Sequence, residues 1–301
     1  MGQHRVPVGA LLEVAITARA RADQDRLIAA LEAIALQDSS LTFSHDAESG
    51  QIILRGTGER HLDVIVDQLR RAFRIELNMG APQVGYRERI RRTVDIDYTH
   101  SKILGPMGQF ARVVLRFEHG AAGSGFVFAN EADREAVPDK YIAGIVKGLD
   151  ASSANGVLAG FPFIESKATL IDGAYHEVDS SRTSFDLAAS AAFRLLKDRR
   201  AVELVEPVMA VEVVTPDEFT GSVIADLGAR RGQIVETDQR DDVQVLSAIV
   251  PFANMLGYEN DLMSMTDRRG QFTAAFSHYE PVPRAFGDDP DRFPHAAAMR
   301  A

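Results

Sequence analysis

The chain has 301 residues, more than a single hydrophobic core usually supports, so two or three domains are expected. With 46% hydrophobic and 25% charged residues it is composed like an ordinary folded protein, and its apolar runs fall far short of the roughly 18 residues a membrane span needs. Zero cysteines exclude disulfides, thiolate metal sites and cysteine nucleophiles, and a formal net charge of -10 excludes coating nucleic acid by bulk attraction, so any RNA contact has to be local.

Leu11 to Arg19 reads as a strand and Asp23 to Asp38 as a helix with Leu27, Ile28, Leu31, Ile34 and Ala35 on one stripe. After Leu41 to Ser44, the turn-prone Asp46 to Gly50 leads into a strand from Gln51 to Arg55. Gly56-Thr57-Gly58 then punctuates before a helix carrying Leu62, Ile65, Val66, Leu69 and Phe73, and a strand from Arg74 to Leu77 closes the unit. The order strand, helix, strand, strand, helix, strand is the ferredoxin-like βαββαβ pattern.

The middle opens with a strand from Val94 to Tyr98, a Gly/Pro loop at Gly105-Pro106-Met107-Gly108 and a strand from Phe110 to Phe117. Gly120 to Gly125 precedes Phe126-Val127-Phe128. A helix follows Pro138, with Tyr141, Ile145 and Leu149 aligned, and a second runs from Ser181 to Leu196. Between them lie a strand from Phe163 to Leu170 and an Asp172-Gly173-Ala174 turn. The first pattern then returns: strand Val208 to Val214, helix Phe219 to Arg230, strands Gln233 to Glu236 and Val243 to Val250, helix Asn254 to Met265, strand Gln271 to Phe276. Two copies of one small module thus flank a middle segment of ordinary domain size, which predicts an α+β chain of three domains.

Chemistry-bearing motifs are few. No GxxxxGK[ST] occurs, so this chain has no P-loop for nucleotide hydrolysis, and no catalytic site is expected. The histidines are scattered, HExxH is absent, and His176-Glu177-Val178-Asp179 does not match a standard metal spacing, so no metal site is expected. His176, Asp179, Ser180 and Ser181 could be assembled on paper into a hydrolase triad, but Asp and Ser at a helix start are favoured as caps. Arg230-Arg231-Gly232 and Arg268-Arg269-Gly270 end equivalent helices, where cations suit the dipole and glycine is the usual cap. Tyr175 and His176, adjacent in an expected turn, suit stacking and hydrogen bonding to an unpaired base.

Several segments in order resemble elongation factor G. Gly56-Thr57-Gly58-Glu59-Arg60-His61-Leu62-Asp63 is similar to its domain III signature GMGELHLE, and Pro82-Gln83-Val84-Gly85-Tyr86-Arg87-Glu88 to its PxVxYRE passage into domain IV. Gly108 to Val113, Gly156-Val157-Leu158-Ala159-Gly160-Phe161-Pro162 and Asp172 to Ser181 resemble domain IV motifs. Glu206 to Val213, Asp226 to Gly232, Met255 to Tyr258 and Phe276 to Glu280 resemble domain V.

The resemblance implies a ferredoxin-like domain III at 1–83, a domain IV of ribosomal protein S5 domain 2-like fold at 84–206, a ferredoxin-like domain V at 207–283, and a tail at 284–301. It implies GTP-dependent translocation of tRNA and mRNA on the ribosome, with a specialised ribosome-binding paralogue, such as a tetracycline-resistance-type protection protein, as the alternative. The domain IV tip would be Gly105, Pro106, Met107, Gly108 and Gln109 together with Asp172, Gly173, Ala174, Tyr175 and His176. Arg230, Arg231, Arg268 and Arg269 would meet rRNA. GTP and Mg would belong to a G domain that, with domain II, is the expected partner of this chain. A cytoplasmic monomer without membrane contact is implied.

The motifs also depart from the family. Ile103 to Gln109 replaces a sequence close to QTGGxGQ, Arg60 replaces a leucine, Arg182 replaces an acid after the double serine, and Met263 replaces an arginine.

Overall fold

The computed structural model describes residues 11–45, 51–80, 82–104, 107–240 and 242–283. The expected turn at 46–50 and the expected tail at 284–301 lie outside the described residues. The first module contains β1 (Leu12–Ala18), α1 (Gln24–Ala35), β2 (Thr42–His45), β3 (Ile52–Gly56), α2 (Glu59–Arg71) and β4 (Leu77–Met79). Its strands lie in the order β2-β3-β1-β4, as the ferredoxin-like pattern requires, and β5 (Gln83–Val84) adds to β1. Leu27, Leu31 and Ile34 of α1, with Leu62, Ile65 and Leu69 of α2, bury the two helical stripes. The last strand begins three residues later than the sequence predicts. Arg74 turns the chain at φ +55° and the Ile75 N–H returns to the Leu69 carbonyl at 3.1 Å, so Arg74 and Ile75 close the helix, and Glu76 meets β1 only through its carbonyl, which accepts from the Arg19 N–H at 2.8 Å.

The middle segment follows with β6 (Arg87–Ile90), β7 (Val94–Leu104), β8 (Met107–His119), β9 (Phe126–Asn130), α3 (Asp139–Asn155), β10 (Ser166–Ala174) and α4 (Arg182–Asp198). Four strands form one sheet in the order β7-β8-β10-β9, with β10 antiparallel to β8 and parallel to β9. Phe117, Phe163 and Phe193 meet edge to face in its core, and Tyr141 stacks on Phe185 at 4.8 Å. The helices α3 and α4 approach closely because α3 offers Gly144 and Gly148: a Cβ on Gly144 would lie 2.2 Å from the Arg182 carbonyl oxygen.

One expectation fails here. Asp172-Gly173-Ala174 is not a turn but the end of β10, pairing with Val114, Val113 and Arg112 beyond a bulge between Leu170 and Asp172. Glycine is required at 173 by crowding, since a Cβ there would meet Val137 Cγ2 at 2.5 Å and the Arg112 carbonyl at 2.6 Å.

The second module comprises β11 (Val202–Pro216), α5 (Thr220–Ala229), β12 (Gln233–Arg240), β13 (Val243–Pro251), α6 (Tyr258–Met265) and β14 (Gln271–Pro281). The order β12-β13-β11-β14 repeats that of the first module. Helix α6 starts later than Asn254, because Phe252–Asn254 is a 3-10 turn and Gly257, at φ +73°, separates it from the helix. The described residues gather into two compact units, one taking 87–205 with 281–283 and the other joining 11–86 to 206–280. Within the latter a single hydrophobic core runs through both modules, from Leu31 and Ile65 to Val223 and Leu262.

Candidate functional site

The ends of β7 and β8 build one half of the expected tip. Register pairing continues to Ile103 with Gly108 and Leu104 with Met107, so Met107 and Gly108 of the expected loop are strand, and Gly105 and Pro106 lie outside the described residues. Gly108 belongs to β8 and is glycine for a tertiary reason: a Cβ there would stand 2.6 Å from the Asp179 carboxyl carbon. Gln109 is tethered, its Oε1 lying 3.0 Å from His100 Nε2.

The segment from Tyr175 to Ser181 builds the other half, and it is braced along its length. The Phe110 N–H donates to the Asp179 carbonyl at 3.0 Å, and Ser180 Oγ donates to the Phe110 carbonyl at 2.7 Å while accepting from the His176 N–H at 2.8 Å. Ser181 caps α4, accepting from the Ser184 N–H at 3.1 Å. Ser180 thus donates its O–H to a backbone carbonyl and Ser181 donates its own to Ser184 Oγ at 3.4 Å, so neither hydroxyl is directed at the His176 ring. Asp172 sits in β10, where Arg112 holds its carboxylate at 3.2 Å while also gripping Asp97.

Tyr175 and His176 do not form a paired stacking platform. Tyr175 turns inward against Tyr141, with ring centroids 5.8 Å apart, because the face alternation of β10 carries on past its end and puts this side chain on the core side. His176 turns outward, its side chain 58% exposed, with Nδ1 3.2 Å from the Asp179 carboxylate. Two apolar side chains not expected as contacts, Ile103 in the altered strand end and Val178 two residues after His176, are each 84% exposed. An apolar residue inside a polar loop, as in Glu177-Val178-Asp179, is the signal that marks such a position.

The helix-end arginines divide. Helix α5 ends in a Schellman motif, with Gly232 N–H donating to the Leu227 carbonyl at 2.7 Å and Arg231 N–H to the Gly228 carbonyl at 3.0 Å. The left-handed residue is Arg231 at φ +63°, not the expected glycine. Gly232 is kept by crowding, since its Cβ would approach the Leu227 carbonyl at 2.7 Å. Arg230 is a brace: its three nitrogens bond Asp226 at 2.7 Å, the Asn254 carbonyl at 2.7 Å and Asp261 at 2.5 Å, over the Tyr258 ring. Arg231 pairs with the buried Glu206 at 2.6 Å. Arg269 pairs with Glu218 and lies over Phe219, whereas Arg268, at φ +63°, is exposed.

Two of the quoted motifs meet through one carboxylate. Glu88 is completely buried and accepts five backbone N–H groups, those of Val157 and Leu158 on Oε2 and those of Ala159, Gly160 and Phe161 on Oε1, at 2.8–3.2 Å. The Gly156 to Phe161 segment is an anion-binding nest occupied by the chain's own carboxylate.

Three family models match in succession: Elongation Factor G, domain III over residues 8–81, Elongation factor G, domain IV over 82–198, and Elongation factor G C-terminus over 203–289. The chain belongs to the elongation factor G family. It is 48% identical over 275 residues to the elongation factor G of Hyphomonas neptunium (strain ATCC 15444), covering 91% of this chain and 39% of that protein. The crystal structure of ttk003000868 from Thermus thermophilus is 35% identical, with a TM-score of 0.69 over 95% of this chain and 43% of that one. The chain thus spans about two fifths of the length of these relatives. Against the elongation factor G signature, the Arg60 departure now has a partner: on α2 it pairs with Glu259 of α6, and the Gly257 N–H donates to neighbouring Glu59 at 3.4 Å.

Proposed function

We propose that this chain is the ribosome-facing part of an elongation factor G-type translocase, made of domain III at 1–83, domain IV at 84–206 and domain V at 207–283, with a tail at 284–301. The observation that carries the reading, beside family membership, is the braced tip. Moving tRNA and mRNA by pushing requires a projection that does not yield. The β7–β8 hairpin, pinned to the Tyr175 to Ser181 loop by Phe110, Ser180 and Asp179, supplies one.

On this reading Gly105 to Gln109 and His176 approach the decoding region. His176 offers a ring nitrogen for RNA, Ile103 and Val178 offer apolar contact, and Asp172, Gly173, Ala174 and Tyr175 hold the tip in place from within. In domain V, Arg268 is the arginine best placed to meet rRNA phosphate, with Arg269 beside it, while Arg230 and Arg231 shape the helix ends that present them. GTP hydrolysis, with its Mg ion, is supplied by a G domain that acts together with domain II and with this chain, as one monomeric cytoplasmic factor.

The test is a chimera in which the amino-terminal part of the Hyphomonas neptunium elongation factor G is joined to this chain, assayed on programmed ribosomes by toeprinting. One-codon movement of mRNA that needs GTP, and slows when His176→Ala is introduced, is the expected result. A chimera that hydrolyses GTP on ribosomes and leaves mRNA in place sinks the reading.

A further inference from the structure

Many arginines of this acidic chain face carboxylates among the described residues. Arg55 lies by Glu13, Arg89 by Glu165 and Glu203, Arg116 by Asp95, and Arg230 by Asp226. Several cations do not, and six of them gather in one place. At the end of α4, Arg194, Lys197, Arg199 and Arg200 are all exposed. The equally exposed Arg91 and Arg92 are drawn to them, Arg91 Nε donating to the Arg200 carbonyl at 3.0 Å and Arg92 Nη2 to the Arg199 carbonyl. Among the described residues none of these cations has a carboxylate within ion-pair distance, and Asp198 is the only acid between Arg194 and Arg200.

The helix dipole explains part of this. Two guanidinium groups on the last carbonyls satisfy the C-terminus of α4, and Arg91 and Arg92 fill that role. It does not explain four more cations crowded on the same end, where like charges repel unless something anionic joins them. Arg200 also occupies a left-handed position, φ +50°, at which glycine is the easier residue.

The apolar neighbours Leu196 and Ala201 are fully buried, so the patch offers charge without hydrophobic anchors. A protein partner would need such anchors at the centre of its interface, whereas a phosphate backbone needs only forked donors and charge. Since α4 has 17 residues and its capping Ser181 adjoins the tip, the patch lies about 25 Å along the helix from it.

We infer that Arg91, Arg92, Arg194, Lys197, Arg199 and Arg200 form a second RNA contact that binds the phosphate backbone of structured RNA at the opposite end of α4 from the tip. It rests on the proposed function only for which RNA is met, namely that of the ribosome.

The experiment compares the 301-residue chain with the triple variant Arg194→Ala, Lys197→Ala, Arg199→Ala, whose altered side chains make no hydrogen bond among the described residues. Binding to a fluorescein-labelled RNA hairpin and to ribosomes is measured between about 50 and 200 mM salt. The triple variant is expected to bind both at least about tenfold more weakly at the lower salt, with a log–log salt slope shallower by about 2 to 3.

The charge-keeping variant Arg194→Lys, Arg199→Lys retains the slope. Should the triple variant misfold by circular dichroism, Lys197→Ala and Arg194→Ala alone each lower the slope by about 0.9. Unchanged affinity and slope on the hairpin overturn the inference, as does competition by poly-glutamate as strong as that by RNA. Hairpin binding that depends on the patch, without ribosome binding by the unaltered chain, upholds the inference and overturns the ribosomal reading. Ribosome binding identical in both proteins does the reverse.

Discussion

Replacing Glu88 by glutamine changes one atom and is expected to unfold the nest around it. The carboxylate offers two acceptor oxygens to five donors, whereas a carboxamide offers one oxygen and an NH2 group. In the better orientation the amide oxygen keeps Ala159, Gly160 and Phe161, and the NH2 faces the N–H groups of Val157 and Leu158, which sit 2.8 and 2.9 Å from Oε2. Each donor left unsatisfied costs about 1–3 kcal/mol, so the pair costs about 2–6 kcal/mol, with a further loss as the remaining bonds cease to be charge-assisted.

Relaxation is restricted, because the chain at Gly156, φ +65°, runs so close to the carboxylate that an added Cβ would lie 2.5 Å from Glu88 Oε1. The measurement is urea unfolding together with hydrogen exchange at amides 157–161. With a urea slope of about 1–3 kcal/mol per molar, the midpoint for the 87–205 unit falls by about 1 M or more, and those amides lose protection. If Glu88→Gln shifts the midpoint by less than about 0.3 M with protection intact, the carboxylate does not organise this loop.

Two helical glycines predict opposite signs for one substitution. Gly144→Ala drives a Cβ to 2.2 Å from the Arg182 carbonyl and costs about 1–3 kcal/mol, whereas Gly228→Ala in α5 meets open space and gains about 0.5–1 kcal/mol in thermal or urea unfolding. Tyr258 is fully buried, with a hydroxyl that has no hydrogen-bond partner among the described residues, and burial followed by the Asp226 charge pushes its pKa up to about 12. Tyr258→Phe is therefore expected to be neutral or to stabilise by up to about 1 kcal/mol, a loss above that value in urea unfolding being the contrary result. The Ser40 hydroxyl, then its N–H and the His61 ring 2.8 Å away, hold the Asp38 carboxyl down at about 2 against an unfolded value of 3.8. That stabilisation is present above the unfolded value and is lost as pH falls through about 2, so the difference in urea stability between the protein and Asp38→Asn shrinks from pH 5 downward, and a constant difference across that range contradicts it.

The sequence by itself determined what depends on neighbours along the chain. Apolar spacing placed Leu27, Leu31 and Ile34 on one helix face and Phe185, Ala189 and Ala192 on another, and the strand–helix order repeated on both sides of the middle segment gave the two ferredoxin-like sheets. The motifs taken in order gave the family. Tertiary structure decided the roles of residues whose partners lie far away in sequence. Glu88 meets donors 69 to 73 residues on, and Gly108 is glycine because of Asp179. Asp172-Gly173 has the composition of a turn, yet the Val137 and Arg112 contacts make it strand. Arg230 and Arg231 carry the charge of an RNA contact, and Asp226, Asp261 and Glu206 claim it. In each case the residue type states only what chemistry is available. Which group consumes that chemistry, a partner molecule or the protein itself, is fixed by packing between distant segments, and no local pattern encodes it.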